Sequence, residues 1–338
     1  MLTFVLYIIN LKLSKNREEM ECPLPLTEYI VDILITCLKD AMVESPLRNE
    51  MIYTVLEQNP DVHVHNIFKP NRNDSQEVEQ EKMVEHLQNA IVKGGDSRFI
   101  ATTLMNPPSG NADETHFVGC VIDTHQKKIY YYNTGAGTYP GSEHILKKIK
   151  SSKVLSPYKI VQEDDTKSSC QIDVIDTFCQ TWSAYYIVKR IQNSHFGAEL
   201  RKHALKALKH EKLEKIFDVF QMFTRTIPDK TINYIAKVYK ETQKLDKKIK
   251  NIELPNLTVD EIRTILSHYF ADKTNLEEFT KMIALPPEPS EEDAKDDPSC
   301  IRSILPGSEQ PFYKMIGKTK TKITKKGGTR KTKLKTNL

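Results

Sequence analysis

No stretch of this 338-residue chain is apolar for long enough to cross a bilayer. The one apolar run of note, Leu2 to Ile9, falls far short of the ~20 residues that a spanning helix needs. A signal peptide is not indicated either, since no basic residues precede that run and Asn10, Lys12 and Lys15 follow it where a small-residue cleavage site would stand. Also missing is any C-x-x-C pair among Cys22, Cys37, Cys120, Cys170, Cys179 and Cys300, which argues against a zinc module and a disulfide framework. These absences predict an intracellular protein with no membrane partner, no metal and no cofactor. Each cysteine begins as a small buried hydrophobe.

Acidic residues are absent from one segment. Lys314 to Leu338 carries ten Lys or Arg and no Asp or Glu, leaving 39 bases against 45 acids elsewhere. The net charge of +4 therefore divides into a body of about −6 and a basic tail. Nucleic acid would be an appended partner of segment 314–338, because positive charge does not cover the rest of the chain. Hydrophobic residues at 39% and charged residues at 28% leave ample material for a globular core.

The length predicts one catalytic-sized unit with helical additions, or two modest domains. Residues 1–95 read as an N-terminal helical region. In it, Tyr29, Ile30, Ile33, Leu34, Cys37 and Leu38 recur at helical spacing between Thr27 and Met42, and a second helix, Glu77 to Val92, ends at Gly94 and Gly95. Pro60 to Asn73 reads as a loop with an extended stretch from Val62 to Phe68. Residues 96–225 form the expected core. Arg98 to Leu104, Thr115 to Ile122, Lys128 to Tyr132 and Tyr158 to Val161 are short and rich in β-branched or aromatic residues, as strands are. Asp123 to Lys127 suits a hairpin loop, which brings His116 and Asn133 near matching ends of adjacent antiparallel strands.

Ile175 to Ile191 reads as a buried helix. Thr177-Phe178-Cys179-Gln180 fits a capping box, predicting Thr177 as N-cap and Cys179 at the second helical position. Leu200 to Phe223, Lys230 to Lys248, Thr258 to Phe270 and Asn275 to Ile283 continue as helices, those from 226 to 285 forming a C-terminal extension. Residues 286–338 read as a disordered acidic linker followed by the basic tail.

A nucleophilic cysteine needs a lowered pKa, which a helix N-terminus supplies through unpaired N–H groups and its dipole. Cys179 alone has that predicted placement, although a cysteine in a buried helix is more often plain core. His116, taken alone, is a strand-end histidine, and Asn133-Thr134-Gly135 is also a plain turn signal. Together an amide and an imidazole on neighbouring strands make a base with its orienting group. Asp123 is a second candidate orienter, ranked lower because it falls in the hairpin turn. His63 and His65 alternate as metal ligands on a strand do, but without further ligands they read as surface or core. Trp182, one turn after Cys179, reads as packing beneath the site.

The order His, hairpin, Asn, Gln, then Cys at a helix start resembles the cysteine-protease clan of SUMO-specific proteases, adenovirus protease and the polyprotein-processing proteases of large DNA viruses. The matching pieces are Thr115-His116-Phe117-Val118 with Val121-Ile122-Asp123, then Ile129 to Asn133, then Gln171 to Trp182. His116 lies 17 residues before Asn133, and Gln171 lies 8 before Cys179. The resemblance covers residues 96 to 225. Many cellular members have Trp after the histidine, Asp as third member and Asp-Cys-Gly at the nucleophile, whereas this chain has Phe117, Asn133 and Phe178-Cys179-Gln180. Those departures point to the viral branch.

The resemblance implies an α+β, papain-like cysteine-protease core in permuted order, with an antiparallel sheet packed against helices. It implies a triad of Cys179, His116 and Asn133, with Gln171 in the oxyanion hole. The implied substrates are viral structural precursor proteins cut after Gly-containing sites, in the host cytoplasm or the virion. On the same view Gly94-Gly95 and Gly327-Gly328 are candidate self-processing sites. Two rivals stand beside this reading: an acetyltransferase using the same thiol on a similar fold, and a non-catalytic scaffold that binds nucleic acid through its tail.

Overall fold

A computed structural model describes residues 26–71, 74–106, 116–133, 148–163, 170, 178–250 and 252–283. The described elements run α1 (Leu26–Ala41), α2 (Ser45–Val55), β1 (Val62–Val64), α3 (Gln76–Gly94), β2 (Phe99–Asn106), β3 (His116–Asp123), β4 (Lys128–Asn133) and β5 (Lys159–Gln162). Six helices follow: α4 (Cys179–Gln192), α5 (Phe196–Lys206), α6 (Lys209–Thr224), α7 (Asp229–Lys250), α8 (Val259–Ala271) and α9 (Leu276–Ile283). The basic tail, the acidic linker, Gly327-Gly328, Cys22, Cys300, Thr177 and Gln171 lie outside the described residues.

The five strands form one sheet in chain order, β1-β2-β3-β4-β5. Here the expectation of an antiparallel sheet is corrected. The central three strands are antiparallel, but β1 runs parallel to β2 and β5 parallel to β4, so the sheet is mixed. Parallel neighbours need a crossover connection, and α3 supplies one between β1 and β2 while segment 134–158 joins β4 to β5.

Alternation along the strands divides the core into two layers. Val118, Cys120 and Ile122 of β3, with Ile100 and Leu104 of β2, pack on Met83 and Leu87 of α3. Ala101, Val121 and Tyr132 face the other way, into a larger cluster with α4. That helix is apolar on most sides because it is covered on most sides: β3 lies beneath it, and α2, α5 and α6 pack around the rest. Trp182, 1% exposed, is core, with its ring edge-on to Tyr185. Elements far apart in sequence share this core, for α1 packs along α7 and the buried Tyr29 hydroxyl donates to Asp246 Oδ2 at 2.6 Å.

Two local readings change. Helix α2 was not foreseen; it begins with Pro46 in its first turn, a position that needs no N–H donor. Leu200 to Phe223 is not one helix but two, broken where Ala207 and Leu208 turn extended, with the Leu208 N–H donating to Glu211 Oε2 at 2.7 Å. Gly94 and Gly95 end α3, as their place in the sequence predicts. Gly95 caps α3 at φ +55°, and a Cβ on Gly94 would stand 2.5 Å from the Ile100 side chain.

His63 and His65 do not stand alone. Their rings lie 5.7 Å apart, and His86 of α3 sits 4.9 Å beyond His65. Thr102 Oγ1 donates to the Asn66 carbonyl and accepts from His86 Nε2 at 2.9 Å. Burial pushes His86 down to about 4, with His65 and Lys93 adding to the effect, and shifts His63 and His65 the same way. The unfolded chain therefore takes up these protons first, so stability present above pH ~6.5 is lost as pH falls toward 4. Asp40, pushed up to about 6 by burial, acts in the opposite sense. The difference between parent and His86→Leu isolates the histidine. Urea midpoints at pH 7 and pH 4 are expected to show a steeper acid loss in the parent, on the order of 3 kcal/mol from His86.

Candidate active site

The hairpin of β3 and β4 fixes the first two residues. Val118 pairs with Asn133 and Asp123 with Lys128. Because side chains alternate, His116, two residues before Val118, shares a sheet face with Asn133. The two meet, His116 Nε2 lying 2.5 Å from Asn133 Oδ1. An amide oxygen only accepts, so Nε2 carries the proton and the lone pair is left on Nδ1. Burial lowers the His116 pKa below 6.5, and the hydrogen bond its ring donates to Asn133 partly opposes the shift. The imidazole is thus neutral at pH 7, as a base must be.

Asp123 is excluded as the orienter. It sits at the far end of β3 from His116, where Oδ1 accepts from the backbone N–H of His125 at 3.0 Å and of Gln126 at 2.8 Å. Its other oxygen lies 3.9 Å from the Arg98 guanidinium. The carboxylate builds the turn.

Cys179 opens α4, but not in the predicted register. The N-cap is Phe178, with φ −99° and ψ 30° and no side-chain cap, so Cys179 is the first helical residue and the Thr177 capping box does not set the helix start. The physical reason is burial: Phe178 is 2% exposed, its ring edge-on to Phe220 at 5.1 Å. A phenyl ring offers no acceptor to the first-turn amides of Cys179, Gln180 and Thr181. The positive end of α4, whose last turn holds Lys189 and Arg190, is therefore not neutralised by its own N-cap side chain.

What sets that helix end beside the hairpin is a close approach to β3. A Cβ on Gly119 would lie 2.7 Å from the Tyr186 ring and 3.0 Å from the Ser183 carbonyl oxygen. Ser183 Oγ, in turn, lies 2.9 Å from the Phe117 carbonyl oxygen and 2.8 Å from that of Cys179. Moving back along α4 from Tyr186 to Ser183 thus moves back along β3 from Gly119 to Phe117. The helix and strand run the same way, and both begin at the same end. There Cys179 packs with Phe117 and Ile67, beside Val43 and Met105.

The other end of α4 is pinned independently, by Tyr186 and Arg190 on the Glu163 carboxylate, Arg190 also covering the Tyr130 ring at 3.7 Å. Gly119→Ala is therefore expected to push α4 off the strand. A loss of about 2 kcal/mol is typical of overpacking, and urea unfolding measures it.

The structure thus joins His116 to Asn133 and sets Cys179, 6% exposed, against Phe117, the residue after the histidine. Burial raises the Cys37 thiol far above its ordinary value and Cys120 to about 12, which leaves both protonated and inert. Cys170 Sγ lies 3.1 Å from the Tyr132 hydroxyl.

No protein-family model matches the chain, and no curated protein matches its sequence. Among the described residues no group of three or more His, Cys, Asp or Glu could hold a metal ion, and no helix is long and apolar enough to cross a membrane. Sequence reasoning missed Gly119 and Ser183, which place the helix. A glycine inside a strand was the available signal, since it often marks a close backbone approach.

Proposed function

We propose that this chain is a thiol endopeptidase of the SUMO-protease and adenovirus-protease type, closest to the maturation proteases of large DNA viruses. Its core would be papain-like in permuted order. The observation that carries the reading is the 2.5 Å contact of His116 with Asn133 at the end of β3 where α4 begins with Cys179. His116 opens β3 and Cys179 opens α4, and Phe117, the residue that follows the histidine, packs with the cysteine.

In the proposed reaction His116 Nδ1 takes the proton of Cys179 and the sulfur attacks the scissile carbonyl. The oxyanion develops at the positive end of α4, where Gln171 is the expected side-chain donor. The imidazolium then protonates the leaving amine, and water, deprotonated by the same ring, hydrolyses the thioester. Asn133 holds the ring and its tautomer throughout. The motif resemblance supplies the substrate class: viral structural precursors, cut after Gly-containing sites in the host cytoplasm or the virion. Segment 314–338 would add a nucleic-acid contact.

The test is labelling with an electrophilic probe carrying a Gly-Gly peptide. The parent is expected to form one adduct, at Cys179, and Cys179→Ala none. Acyl transfer from acyl-CoA without peptide cleavage would favour an acetyltransferase instead. Salt-sensitive nucleic-acid binding with an inert thiol would favour a scaffold.

A further inference from the structure

Gln180 stands beside the candidate nucleophile with half of its amide unused. Its Oε1 lies 3.5 Å from Cys179 Sγ, placed to accept the thiol proton. Its Nε2, in a residue only 2% exposed, is buried with no hydrogen-bond partner among the described residues. Buried amide donors are nearly always paired, and each orphan asks for a reason. Here the orphan belongs to the group that already touches the sulfur.

We infer that the Gln180 carboxamide is a two-position holder for the Cys179 sulfur, presenting Oε1 to the thiol and, after a half-turn of its terminal torsion, Nε2–H to the thiolate. The inference rests on the reading of Cys179 as the nucleophile. A thiol donates, so it prefers the amide oxygen. Once its proton has passed to His116, the sulfur is an anion that only accepts, and the oxygen beside it becomes repulsive. The two ends of a carboxamide are nearly isosteric and the torsion that exchanges them is soft, so the swap needs no backbone movement. The resulting N–H···S⁻ bond is charge-assisted, and it favours the ionised sulfur over the neutral one.

The positive end of α4 favours the thiolate in any case, and Gln180 adds a directed donor to that field. Neither Met nor Glu could substitute. Met fills a similar volume with no donor, and Glu sets a second negative charge against the thiolate. The sequences that this motif resembles often have glycine at the position, so the device belongs to this chain's Phe178-Cys179-Gln180 and not to the general pattern.

The experiment is the pH dependence of iodoacetamide alkylation at Cys179, followed by peptide mass spectrometry on the full chain. Parent, Gln180→Met, Gln180→Glu and His116→Ala are compared. The half-maximal pH is expected to rise by about one unit in Gln180→Met and further in Gln180→Glu, each unit slowing alkylation about tenfold on the acid side. Rates should converge at high pH. Should either variant fail to fold, the parent alone decides: the side-chain amide NMR signals of Gln180 should titrate with the alkylation midpoint and stop titrating once the sulfur is blocked with methyl methanethiosulfonate. A thiol that responds to His116→Ala but keeps its midpoint in the Gln180 variants, or amide signals that do not titrate, would overturn the inference alone. A thiol equally slow in parent and His116→Ala at every pH would overturn the reading of the site as well.

Discussion

Cys179→Ala is expected to abolish peptide cleavage while leaving the fold in place. The side chain packs with Ile67 and Phe117, and losing one sulfur atom there costs about 1 kcal/mol, too little to unfold a protein of ordinary stability. Removing the nucleophile of a covalent mechanism, by contrast, typically costs on the order of 10⁶ in kcat. The dissociation between stability and turnover is the informative part. Circular dichroism and a urea titration should nearly superimpose on the parent, while product formation falls to background. Retained cleavage would remove Cys179 from the mechanism, and a large stability loss would return it to the core.

The second large effect is expected at the histidine. His116→Ala removes the proton carrier and should lower kcat by about 10²–10⁴, the usual contribution of general acid–base catalysis. The pH profile adds a sign. Burial holds His116 below 6.5 when folded, so the ring stays neutral into mildly acidic solution, and activity should fall only as pH drops through that lowered value. Asn133→Leu keeps the volume but removes the acceptor that partly raises the ring's pKa, so the acid limb should move lower still while kcat drops. Initial rates between pH 4 and 8 measure both. An unshifted limb with an unchanged kcat would show that the contact of His116 with Asn133 does not orient the base.

Much of this arrangement was legible in the sequence because it is local. The helices α1, α3, α7 and α8 and the strands β2 to β4 announce themselves by period, and their predicted limits fall within two residues of the observed ones. The pairing of His116 with Asn133 follows from a short turn and a side-chain period of two. What escaped is set by contacts distant in sequence. The start of α4 follows the burial of Phe178 against Phe220, which outweighs a capping box written in four neighbouring residues. The break between α5 and α6 interrupts an apolar period that itself continues. Gln180 was read as a cap partner, and its position beside the sulfur emerges only when the helix begins one residue later than the box predicts.

A bifunctional alkylator with a three-carbon span, such as 1,3-dibromoacetone, measures the central relation directly. It reacts first with a thiolate and then with whichever nucleophile lies within reach. A sulfur and an imidazole that share a proton should be bridged, giving a peptide in which Cys179 is covalently joined to His116, absent from either single variant. A Cys179 that is alkylated once and never bridged, or bridged to another residue, would contradict the account.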